Sequence, residues 1–402
     1  MELVMFCHPS FLASQSMPRF AQMLIDSYEA RGHHVQVWSP RPILFKRFPG
    51  GRFSKWAGYV DQYLLFPIWV RRAIRLIPRK TLFVFCDQAL GPWVPLVKDR
   101  PHVVHVHDLL ALRSALGDVP ENPTSITGRL YQKYIRRGFR QSRHFISISR
   151  KTRDDLHRFG RIAPLTSEVV YNGLNFPYSP LSFDDSQRVL QTAGLTVPVN
   201  GMVLHVGGGQ WYKNLAGVIA LYAKYAAKVT DPLPLWCVSP GPNAMMRSML
   251  SKVPENGQVR FLQFLDSATL QALYSRAAAF VFPSLAEGFG WPLIEAQACG
   301  CPVITTDEPP MNEVAGESAC FLPLLKAPAD MDSWSTCGAA VLRDLLAESA
   351  SDRARRKELG QAWVKRFDTN RAIEGYLTIY QRIADFTQVH RVEPGLNPST
   401  RV

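Results

Sequence analysis

No cysteine pair in this 402-residue chain has Cys-x-x-Cys spacing. The seven cysteines are an odd number, which argues against a disulfide framework and against a zinc ribbon. A reduced, cytosolic setting is the simplest expectation. No apolar run approaches the ~18 residues a membrane span needs. The opening "MELVMFCHPS" lacks a basic region followed by an apolar stretch and a small-residue cleavage site, so it does not read as a signal peptide. Charged residues make up only 20% against 47% hydrophobic, the balance of a globular chain rather than a disordered one.

Acidic residues are also scarce where the chain begins. Residues 1–180 carry 26 Lys+Arg against 12 Asp+Glu, while the remainder carries 20 against 21, so the whole net charge of +13 comes from the first half. Such a surface suits nucleic acid, anionic lipid headgroups or an acidic substrate, or serves only to solubilise. No aromatic-plus-basic nucleic-acid module accompanies it.

Short β-rich runs alternate with helical patterns along most of the chain. "ELVMFCH", "HVQVWSP", "TLFVFCD", "HVVHVHD", "HFISIS" and "SEVVYN" read as buried strands, with helices between them over Arg19–Arg31, Thr127–Arg140 and Lys151–Phe159. After "NFPYSPLSFDDSQR" the pattern restarts with "GMVLHVGGG", "LPLWCVSP", "QVRFLQFL", "AAFVFPS", "CPVITTD" and "SACFLP". This alternation predicts two tandem Rossmann-like, doubly wound α/β domains. The expected boundaries are a first domain over 1–175, a linker over 176–200, a second domain over 201–370, a helix over 371–387 crossing back to the first domain, and a tail over 388–402. Open sheets of this kind bind ligands at the carboxyl ends of their strands.

The most informative stretch is "PSLAEGFGWPLIEAQACGCPVITTD", residues 283–307. Glu287 and Glu295 flank a Gly-Phe-Gly-Trp-Pro turn between a strand and a helix, with Pro292 in the helix's first turn. Backbone N–H groups of Gly290, Trp291 and Leu293 would point outward there and favour a phosphate. Glu295, one turn into the helix, suits a vicinal diol such as ribose, or it complements the helix dipole.

This stretch resembles the Glu-x7-Glu signature of the family 4 (group 1) retaining glycosyltransferases. "VGGGQWYKNLAGVIAL", "VVHVHDLLAL", "FISISRKTRDDL" and "VVYNGL" are similar to further segments of that family, so the likeness covers nearly the whole chain. The resemblance implies the GT-B fold, in which two such domains face across a cleft, and metal-independent transfer of a hexosyl unit from a GDP- or UDP-linked sugar to a saccharide or lipid-linked acceptor. Surface polysaccharide or glycolipid assembly is the implied setting. By the same resemblance Lys213 pairs with the donor diphosphate, beside Gly208. Glu287 contacts the transferred sugar, Glu295 the ribose, and Leu265 marks the backbone that reads the base, while His107 orients the donor sugar. The family often has an arginine a few residues before the lysine; here those places are Gly208 and Gly209. The usual Gly-Gly after the first strand is also missing, replaced by "CHPSFLASQSMPRF". Ser16, Arg19 and Asp108 are the expected acceptor-side residues, with Arg19 a substitute cation.

His105 and His107 share a strand face and with Asp108 invite a metal reading, but a zinc site usually needs more than His-x-His. The rival to transfer is a nucleotide-sugar enzyme of similar fold, such as an epimerase, which would lack the Glu-x7-Glu turn. "DQYLLFPIWVRRAIRLIPRK", residues 61–80, combines Leu64, Ile68 and Trp69 with five cationic residues. It is the candidate contact with an anionic membrane at the inner face, or else an ordinary amphipathic helix.

Overall fold

The computed structural model describes residues 1–11, 16–48 and 52–389. They form two compact units: Met1–Asn175 together with the helix Thr369–Val389, and Phe176–Asp368.

The first unit is built on one six-stranded sheet. Its strands are β1 (Glu2–Phe6), β2 (His34–Trp38), β3 (Leu82–Phe85), β4 (His102–Val106), β5 (His144–Ser147) and β6 (Thr166–Val169). They lie in the order β2-β1-β3-β4-β5-β6, with every neighbouring pair parallel. All residues of β3, β4 and β5 are buried, as a parallel sheet covered on both faces requires. The helices start where short polar side chains take up free N–H groups. Ser125 caps Ile126–Phe139 by accepting from Gly128, and Ser149 caps Arg150–Gly160 by accepting from Thr152.

The helix Thr369–Val389 belongs to this unit by its packing. Ile373, Tyr376, Tyr380 and Ile383 recur at helical spacing, and all four are buried against the sheet. Tyr28 donates to the Tyr380 hydroxyl at 3.1 Å, and Tyr380 in turn meets His105 Nε2 at 2.6 Å. Gly173 lets the helix start approach this closely, because a Cβ there would collide with the backbone of Thr369.

The second unit repeats the plan with β7 (Met202–Val206), β8 (Leu235–Val238), β9 (Val259–Leu262), β10 (Ala277–Phe282), β11 (Val303–Thr306) and β12 (Cys320–Leu322). Their order is β12-β11-β10-β7-β8-β9, again all parallel. The segment 176–200, expected as a linker from its turn-forming residues, is part of this unit. Ser182 caps a helix over Phe183–Thr192 that packs on the helix Ser267–Arg276, and Gln271 donates to the Ser179 carbonyl at 2.9 Å. The unit ends at Asp368 rather than 370. The tail from residue 390 lies outside the described residues.

Two predictions follow from this packing. The helix Ile126–Phe139 crosses the segment Gln88–Val97 at a pair of glycines, and a Cβ on Gly138 would run into the Gly91 carbonyl oxygen. Because backbone cannot swing aside, Gly138→Ala should cost about 1–3 kcal/mol in urea unfolding. The second prediction concerns acid. Burial, helped by His107, pushes His105 down to about 3; burial and the Lys213 charge, opposed by a hydrogen bond to Val281, push His205 down to about 4. The unfolded imidazoles take up protons first, so this stability is present above pH ~6.5 and is lost as pH falls toward the folded values. Each histidine should remove roughly 2 kcal/mol between pH 7 and pH 5, and His205→Asn should flatten the pH slope of its share.

Candidate functional site

In the second unit the strand order reverses between β7 and β10, and the loops that leave these two strands run in opposite directions. The chain leaves β7 through Gly207, Gly208 and Gly209, the last at φ +80°, and makes a tight turn over Trp211–Lys213. Asn214 holds the left-handed conformation and starts the helix Leu215–Ala226. Its side chain reaches across to donate to the Pro283 carbonyl at 3.1 Å, and Leu285 N–H meets the Tyr212 carbonyl at 2.7 Å. These two bonds tie the loop after β7 to the loop after β10.

The tie brings Lys213 and Glu287 together. Lys213 Nζ lies 2.7 Å from Glu287 Oε1, with the two side chains only 14% and 9% exposed. The ammonium also sits 4.8 Å from the centroid of the Phe282 ring. A pair so nearly buried is held in a medium where its charges count for more than on the surface. Beneath it, His205 in β7 donates from Nδ1 to the Val281 carbonyl of β10 at 2.8 Å. Gly207 is needed above that ring, since a Cβ would stand 2.9 Å from His205 Nε2.

The turn that follows Glu287 differs from its sequence reading in one respect. Gly290 takes φ +97° and caps the helix Trp291–Ala298, with half-buried Trp291 beginning it. Leu293 N–H, expected to face outward, donates instead to the Gly290 carbonyl at 3.0 Å, because the first helical turn closes tightly around Pro292. Glu295 is only 6% exposed, and one of its oxygens accepts from the buried Tyr274 hydroxyl at 3.1 Å. Its carboxylate is therefore held from behind as well as by the helix. Leu265 is half-buried between β9 and the helix Ser267–Arg276, beside Phe264, which is left-handed and fully exposed. Gly208 is exposed at the loop crest.

The first unit holds the remaining residues. His107 follows β4, is 5% exposed, and packs edge-on to Phe20 at 4.4 Å. Its Nε2 donates to the Cys86 carbonyl at 2.9 Å, so the lone pair is on Nδ1, which is buried without a partner among the described residues. Burial holds this imidazole below its ordinary range despite the nearby Asp87. The Gln88 side chain clamps the loop, accepting from His107 N–H at 2.9 Å and donating to the Asp108 carbonyl at 2.6 Å. The Nε2 atoms of His105 and His107 are taken, the one by Tyr380 and the other by the Cys86 carbonyl. Among the described residues no group of three or more His, Cys, Asp or Glu could hold a metal ion. Arg19 is exposed in the helix Ser16–Glu29 with no ion pair among the described residues. The Ser16 side chain lies outside the described residues, and Asp108 is exposed, accepting from Leu110 N–H.

Sequence reasoning missed one further pair here. His8, two residues past β1, lies with Nε2 2.8 Å from Asp87 Oδ2, two residues past β3. The partners are 79 residues apart, and no local motif links them.

Comparison with known proteins follows the same division. Residues 17–176 match the family described as Glycosyltransferase Family 4, and residues 198–355 match Glycosyl transferases group 1. The chain is 29% identical over 187 residues to the O-antigen chain mannosyltransferase B of Escherichia coli, covering 46% of this chain and 47% of that one. It is 24% identical over 244 residues to the O-antigen chain mannosyltransferase RfbU of Salmonella typhimurium, covering 60% and 61%. The chain thus spans about half to three-fifths of the length of these curated relatives. Among solved structures it is similar to WaaG, a glycosyltransferase involved in lipopolysaccharide biosynthesis, with TM-score 0.66, 16% identity and coverage of 96% and 99%. It is equally similar in fold to the sucrose-phosphate synthase of Thermosynechococcus elongatus, with TM-score 0.66, 17% identity and coverage of 98% and 100%. With the two family matches together taking in most of the sequence and both sheets built as GT-B structures build them, the chain belongs to the group 1, family 4 glycosyltransferases.

Proposed function

We propose that the protein transfers a hexosyl unit from a GDP- or UDP-linked sugar to a saccharide or lipid-linked saccharide, with retention of configuration and without a metal. The observation that carries this reading is the Lys213–Glu287 pair on the two loops that leave the reversal of the second sheet. An arriving diphosphate competes with Glu287 for the ammonium, which then offsets the charge that grows on the leaving group. Glu287, released from that bond, accepts from hydroxyls of the transferred sugar. Glu295, braced by Tyr274, takes the ribose diol, and backbone near Leu265 takes the base. The N–H groups of Gly290 and Trp291 lie at the positive end of their helix and favour phosphate. His107 orients the donor sugar.

Glu287 is the carboxylate that the family resemblance brings near the reacting carbon, and it is the partner of a cation. This favours transfer on one face of the sugar. The bond from the anomeric carbon to phosphate breaks as the bond to the acceptor oxygen forms, and the hydroxyl proton passes to the leaving phosphate oxygen. Positioning and charge stabilisation then supply the catalysis. The mannosyltransferase names of the relatives favour mannose as the hexose and a surface polysaccharide as the setting.

A lipid-linked acceptor is supported by the first unit's surface. Helical turns run from Arg52 to Leu76, with a wider turn at Asp61–Leu65. Phe66 and Val70 face the core, whereas Trp56, Leu64, Ile68, Trp69 and Leu76 are exposed alongside Arg71, Arg72 and Arg75. A cavity of about 480 Å³ adjoins this run, lined by Trp38, Ile43, Phe66 and Trp69 with Arg41. Among the described residues no helix is long and apolar enough to cross a membrane.

Thermal melts with UDP-, GDP-, ADP- and dTDP-sugars test the donor site. Sugars on one base should raise the melting temperature by roughly 5 °C or more at a hundredfold excess over Kd. The rise should persist in EDTA and vanish in Lys213→Ala and Glu295→Ala. If no sugar nucleotide stabilises the wild type, the donor site does not exist as described. For the membrane contact, the protein should float with anionic vesicles at low salt. Arg71→Glu, Arg72→Glu and Arg75→Glu should each remove roughly 1 kcal/mol of attraction. A wild type that stays in the bottom fraction ends the membrane reading.

A further inference from the structure

The first sheet also reverses its order, between β1 and β3, and this is where His8 and Asp87 meet. In open parallel sheets the crevice at such a reversal is the ligand-binding place. Each unit therefore carries one pair of opposite polarity at its reversal: Lys213–Glu287 in the second, His8–Asp87 in the first.

The pair is built rather than incidental. Asp87 is 7% exposed and sits at the start of the turn Gln88–Val97, where Oδ1 accepts from Ala89 N–H at 2.9 Å and Oδ2 faces His8. Burial alone would raise its carboxyl, but the bond from His8, the nearby His8 and His107 rings and the Ala89 N–H together hold it below the usual carboxylate range. As a carboxylate it accepts, so His8 donates through Nε2 and keeps its lone pair on Nδ1. Ser39 fixes the His8 backbone by donating to its carbonyl at 3.0 Å. His8 Nδ1 has no hydrogen-bond partner among the described residues, yet it is not among the fully buried unpartnered atoms. It is an oriented acceptor open to a ligand.

We propose that His8, oriented by Asp87, binds a hydroxyl of the acceptor saccharide beside the one that reacts, by accepting its hydrogen bond at Nδ1. Asp87 is a positioning residue: by taking the Nε2 proton it keeps Nδ1 an acceptor. This inference rests on the transfer reading above and adds to it the group that receives the second substrate. The ligand class is a polyol hydroxyl, since an imidazole lone pair selects a hydrogen-bond donor and not an anion.

Two substitutions separate this role from a structural one. His8→Gln keeps an N–H for Asp87 but removes the ring Nδ1. Asp87→Asn still accepts from Ala89, but its amide donates to Nε2 and so moves the ring proton to Nδ1, turning the acceptor into a donor. The assay follows nucleoside diphosphate release from the sugar nucleotide that stabilises the wild type, with and without a panel of octyl glycosides. Thermal stabilisation by the donor is measured in parallel as a check on folding. Both variants should keep donor stabilisation and lose acceptor-stimulated release by about tenfold or more, chiefly through a higher KM for the glycoside. Acceptor-stimulated release equal to wild type in either variant overturns the proposal. So does a wild type that binds donor but is stimulated by no glycoside. A wild type stabilised by no sugar nucleotide is a separate failure, because it removes the transfer reading on which the proposal stands.

Discussion

A parallel sheet whose chain order reverses leaves two neighbouring strands whose exit loops part company, and the crevice between those loops is open to side chains and ligand. Both units of this protein face that constraint, between β1 and β3 in one and between β7 and β10 in the other. In both, an acidic group from one loop bonds a basic group from the other. This arrangement holds polar and ionisable groups at the strand ends without burying any of them alone.

The surrounding structure serves the same end. The loops that carry the pairs must come close, so glycine stands where a side chain would intrude, as at Gly207 above His205. Polar cross-links such as Asn214 to Pro283 and Gln88 to the His107–Asp108 backbone hold the loops at fixed spacing. Behind them strand histidines such as His105 and His205 are kept neutral by burial, which leaves the scaffold vulnerable to acid. The helix Thr369–Val389 closes the first unit through the Tyr28–Tyr380–His105 chain, so the last described part of the chain supports β4, the strand that His107 follows.

All twelve strands were legible as short β-rich runs, and the central ones β3, β4 and β5 are apolar along most of their length because both of their faces are buried. The strand-to-helix loop from Glu287 to Glu295 was legible too, since its glycines and Pro292 are local signals. What the sequence hid was pairing across distance. Nothing near Lys213 points to Glu287 as its ion-pair partner, and nothing near His8 points to Asp87; both depend on strand order. Local signals also misled. The Pro-, Ser- and Asp-rich run at 176–200 reads as a linker, yet Ser182 and Asp185 are there as a helix start. Leu293 looked like a free N–H donor because its turn partner, the Gly290 carbonyl, is apparent only once φ at Gly290 is known.

The central claim is that the reversal of the second sheet receives the nucleoside diphosphate. Hydrogen–deuterium exchange with saturating GDP and, separately, UDP tests it most directly. The account predicts slowed exchange over residues 207–214 and 287–291 with one of the two nucleotides, and none at the amino ends of the strands. Protection confined to other segments, or none with either nucleotide, would contradict it.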